Sequence, residues 1–376
     1  MNREELYERY QRQMMLPGFG EQKQMLLEQA SVLVIGAGGL GCPVLSYLAA
    51  AGVGRIGLVD DDAVEIHNLH RQVIYTMEDL GRAKVTVAAE RISALNPGVI
   101  IVPYKLRASN QNIRELVEGY DLIIDGTDNF ETRYLVNDAC VIAGKPLVYG
   151  AISQYEGQVS VFTPDFHYRD LFPDPPAPGS VLNCSDAGVI GVLPGLIGTL
   201  MAQEAIKIIT GIGQPLYAKL LLWNLLTNNS MVMENSPDAW HPTGETRRVG
   251  PRNWTELEAF DYSWFCGTGK VNNITAAELN AKREQGEWLV IDIREPHELP
   301  GSEGLADLRI PSAELLPEHI GDTAEKIVFV CQSGKRSEAA VLRFSNLLDG
   351  SRQLYSLQGG VLGWSQFQQH EQRENH

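Results

Sequence analysis

The 376-residue chain has only five cysteines, Cys42, Cys140, Cys184, Cys266 and Cys331, and no two form a C-x-x-C pair. That scatter excludes a disulfide framework and a zinc ribbon, and it predicts a reducing, cytoplasmic setting. Positive charge is also scarce. Lys and Arg number 31 against 47 Asp and Glu, for a formal net charge of −16, and no basic cluster stands out. A nucleic-acid partner is therefore not expected, because its phosphates would be repelled. The first twenty residues carry charges where a signal peptide needs an apolar run. The most apolar stretch, GVIGVLPGLIGTLMA at 188–202, contains Pro194 and three internal glycines. It is shorter than the ~17–25 residues of a membrane span, so it predicts a buried loop and helix and no membrane association.

What the sequence does have is alternation. SVLVIG, RIGLVD, VIIVP, YDLIIDGTDN and PLVYGA read as five buried strands, separated by helices at 40–51, 79–95 and about 130–143. Continuous apolar strands with intervening helices indicate a parallel sheet covered on both faces, a doubly wound, Rossmann-like α/β fold. GQVSVF and KLLLWN add strands around a helix at 195–210. Composition then turns to Pro, Asn, Gly and Thr, which predicts a linker at 246–271 between a domain at 1–245 and a smaller α/β domain at 272–376. The second domain begins with a capping-box pattern, Thr275 and Glu278. Its strands are WLVID, KIVFV and QLYSL, with a helix from Ser337.

Gly36, Gly38 and Gly41 form G-x-G-x-x-G between the first strand and the first core helix, a pattern that brings backbone N–H groups to a phosphate. Asp60 ends the second strand, where a ribose-binding acid is expected. This fingerprint alone also fits an NAD(P)- or FAD-dependent oxidoreductase. Beyond it, Asn68 and Arg71 follow the second strand, Lys84 opens the next helix, and Asp128 and Asn129 lie at the edge of the fourth strand. Two cations and a carboxylate at one crevice suit a triphosphate and its Mg²⁺.

Taken together, RYQRQ, GAGGLGCP, NLHRQ, GTDN and CSDAGVIGVLPG resemble the MoeB/ThiF/HesA enzymes, relatives of ubiquitin-activating enzymes, over roughly residues 5–235. The resemblance implies ATP-dependent adenylation of the C-terminal glycine of a ubiquitin-like sulfur carrier ending in Gly-Gly. It implies ribose binding by Asp60, with Gly39 and the loop from His67 to Arg71 lining the nucleotide. Phosphate contacts from Arg71 and Lys84, and Mg²⁺ or phosphate positioning by Asp128 and Asn129, are implied in the same way. Arg12 matches an arginine that relatives insert into the partner subunit's site, which implies a homodimer. The family's structural zinc is held by two C-x-x-C pairs, and here those places read HYRDLF and SPDAWHPTG. With the four thiolates absent, no structural zinc is expected. A substitute site would draw on His167, Asp170 and His241.

Cys184, in LNCSDAG, has two readings: a small buried residue, or a nucleophile that takes the carrier's acyl group from AMP. Cys331 ends a strand inside CQSGKRS and is followed at once by a helix, so N–H groups, the helix dipole and Arg336 all favour its thiolate or persulfide. VIDIREPHE, the loop Cys331–Ser337 and LQGGVLGW resemble a rhodanese domain over about residues 272–372. That implies a persulfide on Cys331 held with Arg336, loaded by a sulfur donor such as a cysteine desulfurase. Asp292 and Arg294 then belong to the domain's structural signature. The expected product is a carrier thiocarboxylate for thiamin, molybdopterin or thiolated tRNA. A catalytically degenerate carrier-binding module is the remaining alternative.

Overall fold

The computed structural model describes residues 3–176, 188–234, 250–266, 271–283, 288–302, 304–312, 314–320, 324–344 and 352–374. The chain divides into two compact units, with the main break between Tyr262 and Ser263.

In the first unit the described strands form one eight-stranded sheet of order β3-β2-β1-β4-β5-β6-β7-β8. The parallel part comprises β1 (Ser31–Ile35), β2 (Arg55–Val59), β3 (Ile100–Tyr104), β4 (Leu122–Asp125) and β5 (Leu147–Ser153). β6 (Glu156–Phe162), β7 (Lys219–Asn224) and β8 (Asn229–Glu234) extend it antiparallel. β1, β2 and β4 are buried nearly end to end, as strands covered on both faces must be. The described helices of this unit are α1 (Arg3–Met14), α2 (Gly20–Gln29), α3 (Gly41–Ala51), α4 (Lys84–Leu95), α5 (Ile113–Glu118), α6 (Phe130–Ala143), α7 (Tyr168–Leu171), α8 (Val192–Thr210) and α9 (Trp254–Ala259). α10 (Tyr262–Phe265) crosses the division point.

Two boundaries depart from the sequence reading. α4 begins at Lys84 rather than near 79, because Gly81 takes a left-handed φ of 79° and separates the 3-10 turn Met77–Asp79 from the helix. The helix read at 195–210 begins three residues earlier, as α8, 19 residues long and apolar enough by composition to cross a membrane. Here α8 lies on β5, β6 and α3 and buries Leu193, Ile197, Met201, Ala202 and Ala205 in the main core. It is a core helix. Each of the Leu, Ile and Met side chains, fully buried, contributes about 1.5–3 kcal/mol, and each alanine less.

The described part of the stretch read as linker is folded. Asn253 caps α9, accepting from the Glu256 N–H at 3.0 Å. The Asn110 amide donates to Leu257 O at 2.9 Å and Phe260 O at 2.7 Å, and Tyr262 Oη donates to buried Asp138 at 2.8 Å. Asp138 also takes a two-pronged ion pair from Arg169, at 2.7 Å to each oxygen, with both side chains 3% exposed. The aromatics of this stretch, among them Trp254, Phe260 and Tyr262, were the signal in the sequence that the linker reading passed over.

The second unit holds a parallel five-stranded sheet, order β11-β10-β12-β13-β9, among its described residues. Its strands are β9 (Asn273–Ile274), β10 (Trp288–Asp292), β11 (Leu308–Arg309), β12 (Lys326–Val330) and β13 (Gln353–Leu357). Helices α11 (Ala276–Arg283), α12 (Lys335–Phe344) and α13 (Gly360–Glu374) accompany it. Thr275 and Glu278 form the expected capping box, with Glu278 accepting from the Thr275 N–H at 3.0 Å and Thr275 Oγ1 from the Glu278 N–H at 3.2 Å.

Candidate active sites

In the first unit β1 leads to α3 and neighbours β4, so strand order reverses between β1 and β4, the place where open α/β sheets leave a crevice. Glycine is required at two points of the loop between them. A Cβ on Gly36, whose φ is 100°, would lie 2.8 Å from Gly126 O, and one on Gly41 would lie 2.0 Å from Gly36 O. The loop therefore closes directly on the GTDN turn, bringing the strand-end groups together. A Cβ on Gly39 would meet Pro194 at 3.0 Å and the Arg71 side chain at 3.6 Å, and one on Gly38 would face the Gln72 amide at 3.7 Å. The start of α8 and the loop at 67–72 thus line the same crevice.

Asp60 is tied into this loop. Its Oδ2 accepts from the Ala37 N–H at 2.8 Å and its Oδ1 from the Asp62 N–H at 2.9 Å. Burial raises its pKa, against the lowering effects of Lys84 and these N–H groups. Arg71 Nη1 donates to His67 O at 3.0 Å, and Lys84 Nζ to Asp62 Oδ2 at 2.7 Å. The Lys84 side chain is 5% exposed. Both cations are bonded to acceptors of this same chain, Lys84 from a buried position and Arg71 from a half-buried one. Asn68 is buried and spans its own 3-10 turn, accepting from the Glu65 N–H at 3.2 Å, while His67 is exposed beside Glu65.

Asp128 is exposed at the mouth of the crevice, and Asn129 caps α6 by accepting the Thr132 N–H at 2.9 Å. Beneath them lies a group the sequence reading passed over. Asp125 is fully buried; its Oδ1 accepts from Thr127 N and Oγ1 at 2.9 and 2.6 Å. Its Oδ2 finds no hydrogen-bond partner among the described residues, with Arg133 Nε 3.9 Å away. Burial pushes the Asp125 pKa up, against the pull of Arg133 and Thr127. Arg133 also donates to Thr127 O at 3.2 Å, so this pair fixes the turn that presents Asp128. The doublet of an acid at an apolar strand end and an arginine one turn into the following helix was the available signal.

Arg12 does not join this crevice. It is exposed on α1, whose neighbouring side chains reach the far ends of α3 and α4: Gln13 donates to Ala51 O at 3.0 Å, and Asn96 donates to Tyr10 Oη at 2.7 Å. The 11-residue α3 places Gly41 about 15 Å from that end. Cys184 and His241 lie outside the described residues. His167 and Asp170 cap α7 together, with the His167 N–H donating to Asp170 Oδ2 at 2.7 Å and His167 Nε2 3.7 Å from it. These two groups serve each other, and no thiolate stands beside them in sequence.

In the second unit β12 ends directly on Cys331, and α12 begins four residues later. Cys331 is 1% exposed. Its Sγ accepts from the Gly334 N–H at 3.2 Å, and Ser337 Oγ lies 3.5 Å away. Burial alone would raise the thiol's pKa, but the Ser337 hydroxyl and the N–H groups of Ser337, Ser333 and Gly334 outweigh it, and the net shift is down. Arg294 and Asp292 are a fully buried ion pair, 2.8 Å apart, and Arg294 Nη1 donates to Gln332 Oε1 at 2.8 Å. They brace the thiol loop from below.

Residues 10–241 match the ThiF family, and residues 275–367 match the rhodanese-like domain. The chain is 50% identical over 278 residues to a sulfur carrier protein adenylyltransferase of Thermus thermophilus, covering 70% of this chain and 98% of that one. It is 40% identical over 389 residues to a probable adenylyltransferase/sulfurtransferase MoeZ of Mycobacterium tuberculosis, covering 97% of this chain and 94% of that one. Among solved structures, PaaA resembles it in fold at a TM-score of 0.54 and 23% identity, covering 62% of this chain and 84% of that one.

Proposed function

Because the chain belongs to the ThiF family and carries a rhodanese-like domain behind it, we propose that it adenylates a sulfur carrier protein and then delivers sulfur to it. The observation that carries the first half is the convergence of the glycine loop, Asp60, Arg71, Lys84 and the Asp128 turn on one crevice at the β1/β4 reversal. ATP is the nucleotide, since an adenylyltransferase must supply AMP to its product.

The carrier is a ubiquitin-like protein ending in Gly-Gly. Its terminal carboxylate attacks the α-phosphorus of ATP, a carboxylate-to-phosphate bond forms, and pyrophosphate leaves. Activation is needed because a carboxylate is a poor electrophile with a poor leaving group. N–H donors of the Gly36–Gly41 loop and the cations Arg71 and Lys84 neutralise the phosphates. To reach them, Lys84 must leave Asp62 and Arg71 must leave the His67 carbonyl. Asp60 takes the ribose hydroxyls. Asp128, the exposed carboxylate at the crevice mouth, would hold Mg²⁺, which would screen the triphosphate charge. Arg12, remote from its own crevice, would complete the site of a second copy in a homodimer.

In the second half the Cys331 thiolate receives a sulfur atom from a donor such as a cysteine desulfurase. The outer persulfide sulfur then attacks the carrier's acyl-adenylate, forming a carbon–sulfur bond as AMP leaves. A further thiol must attack the Cys331 sulfur of the resulting acyl disulfide, releasing the thiocarboxylate and leaving a disulfide. Cys184 is the candidate for that thiol or for an earlier acyl acceptor. A reducing cytoplasm suits this chemistry, and the thiocarboxylate would feed thiamin, molybdopterin or tRNA thiolation.

ATP–pyrophosphate exchange tests the first half. It should require Mg²⁺ and a carrier with its terminal glycine. Exchange unchanged by deleting that glycine would overturn the assignment. Metal analysis of the purified protein should find substoichiometric zinc, whereas one tightly held zinc per chain would point to His167, Asp170 and His241.

A further inference from the structure

The sequence places Arg336 as a free cation over the thiol, and the structure gives it a partner. Glu298 Oε1 accepts from Arg336 Nη1 at 2.7 Å, and the second oxygen accepts from Nη2, so the guanidinium is gripped at both prongs. Glu298 is itself fixed, with Oε1 also accepting the Glu295 N–H at 2.9 Å. Its segment is pinned to the thiol loop by two further bonds, Gln332 Nε2 to Leu299 O at 2.9 Å and Arg294 Nη1 to Pro300 O at 2.9 Å. The Glu298 side chain is 20% exposed and that of Arg336 46%. The pair stands beside the thiol loop, anchored to it by these bonds, and is not a chance surface contact. In support, the arginine holds the Glu298 carboxyl far below its usual range, at about 2, so it stays ionised.

We propose that Glu298 sets the choice of sulfur donor, by cancelling the Arg336 charge so that the pocket disfavours the thiosulfate dianion and favours donors that present a persulfide. This rests on Cys331 being the residue that carries the sulfur. In both reactions the Cys331 thiolate attacks the outer sulfur and a new sulfur–sulfur bond forms. With thiosulfate the old bond breaks toward sulfite, which leaves with the electron pair as a dianion. With a persulfide R–S–S⁻ it breaks toward the thiolate R–S⁻. The first route brings two negative charges past the mouth and needs a guanidinium free to receive them. The second brings one, and the N–H groups around Cys331 suffice for the transferred sulfur. Glu298 is thus a specificity-determining residue, with no part in bond making.

The test compares two donors, thiosulfate and N-acetylcysteamine persulfide (at most singly charged), with the full chain and its Glu298→Gln variant. Gln retains the shape and the Glu295 N–H bond while releasing Arg336. The KM for thiosulfate should fall about tenfold, the order of one charge-assisted hydrogen bond, with kcat little changed. The KM for the persulfide should move less than about threefold on the same scale. The gain should vanish in the Glu298→Gln, Arg336→Gln double variant. Glu298→Ala serves as the second probe should the Gln protein fold poorly. An unchanged thiosulfate KM in both Glu298 variants, an equal gain for both donors, or a gain that survives loss of Arg336 would each overturn the proposal. Mass analysis of wild-type protein separates this from the underlying reading. If neither donor adds 32 Da (one sulfur atom) to Cys331, the assignment of Cys331 itself is what fails, and the donor inference falls with it.

Discussion

Two loops in this chain share a plan: a buried parallel strand runs into a glycine-bearing turn that opens a helix, and a cysteine stands at the turn. In the first unit the cysteine is Cys42, the second residue of α3; in the second unit it is Cys331, the residue after β12. Their chemistry is opposite. Burial pushes the Cys42 thiol up to about 12, and Cys42 Sγ lies 3.7 Å from the Ala37 carbonyl, to which it can only donate. The Cys331 thiol is shifted down because N–H groups and a hydroxyl point at it. A helix N-terminus does not by itself make a thiolate. What counts is whether the donors that face the sulfur outweigh its burial: at Cys42 the N–H groups of Ile74 and Cys42 do not, and at Cys331 the loop donors do.

The loops also differ in readiness. Around Cys331 the donors, the Arg294–Asp292 brace and the Glu298–Arg336 pair are all in place. In the crevice of the first unit Lys84 and Arg71 are bonded to Asp62 and to the His67 carbonyl, so under the proposed function that site rearranges to take phosphate. Removing one group from each loop should give the largest effects and separate the chemistries. Cys331→Ala should abolish sulfur loading and thiocarboxylate formation while retaining carrier-dependent pyrophosphate exchange. Asp128→Ala should lower that exchange by about 10²-fold, the scale of losing one electrostatic contact in the transition state, and should leave sulfur loading intact. Thiocarboxylate made by Cys331→Ala at the wild-type rate would show that the two loops do not share one pathway.

A second test concerns what holds the first loop's surroundings together. Asp138 bonds Arg169 and Tyr262 from α6, the helix that Asn129 caps. Asp138→Ala strands the Arg169 charge in the interior and should cost about 3–5 kcal/mol. Chemical denaturation should show this loss, and Asp138→Asn should recover only part of it. A loss under about 1 kcal/mol would mean the network is solvated.

The contrast between the cysteines is directly measurable. With iodoacetamide, the Cys331 alkylation rate should rise with pH through an inflection below 9.0, the ordinary thiol value from which it is shifted. Cys42 and Cys140 are buried to the same degree as Cys331, but their pKa values are raised, so their thiolate fraction stays small and they should label far more slowly over that range. Peptide mapping after labelling reads both. Faster labelling at Cys42 than at Cys331 would reverse the comparison.

Much of this was legible before any coordinates. Continuous apolar runs marked β1, β2 and β4, and the glycine spacing marked the loop that Gly36 and Gly41 close against neighbouring backbone. β8 was not marked, because Asn229–Glu234 is an edge strand exposed along its length and its pairing with β7 depends on a left-handed Asn228. α13 was read only as a motif, its glycine-rich start masking the helix. Among site residues, the cations were visible and their acceptors were not. Asp62 lies 22 residues from Lys84, and Glu298 lies 38 from Arg336. Nothing in an isolated surface acid says which distant cation it will hold; only the folded chain decides that.

The smallest expected effect tests a local signal in the second unit on which sequence and structure agree. Thr275 Oγ1 accepts the Glu278 N–H, and Glu278 Oε2 accepts from both the Thr275 N–H and its hydroxyl, the latter at 2.9 Å. Removing the hydroxyl leaves one N–H of α11 without its side-chain acceptor and the carboxylate with one donor fewer. Because α11 is only eight residues long, its ends make up most of it, and the cap matters more than in a long helix. Its hold on the sheet comes through buried Ala276 and Leu279, which Thr275→Ala does not touch. The variant should therefore lose about 1 kcal/mol, the usual worth of such a cap. Cys331 chemistry should be unaffected, since its donors come from the loop before α12 and from Ser337. Thr275→Ser should restore most of the loss, because it keeps the oxygen that accepts. An equal loss in Thr275→Ser and Thr275→Ala would assign the effect to the methyl group's packing and remove the cap from the account.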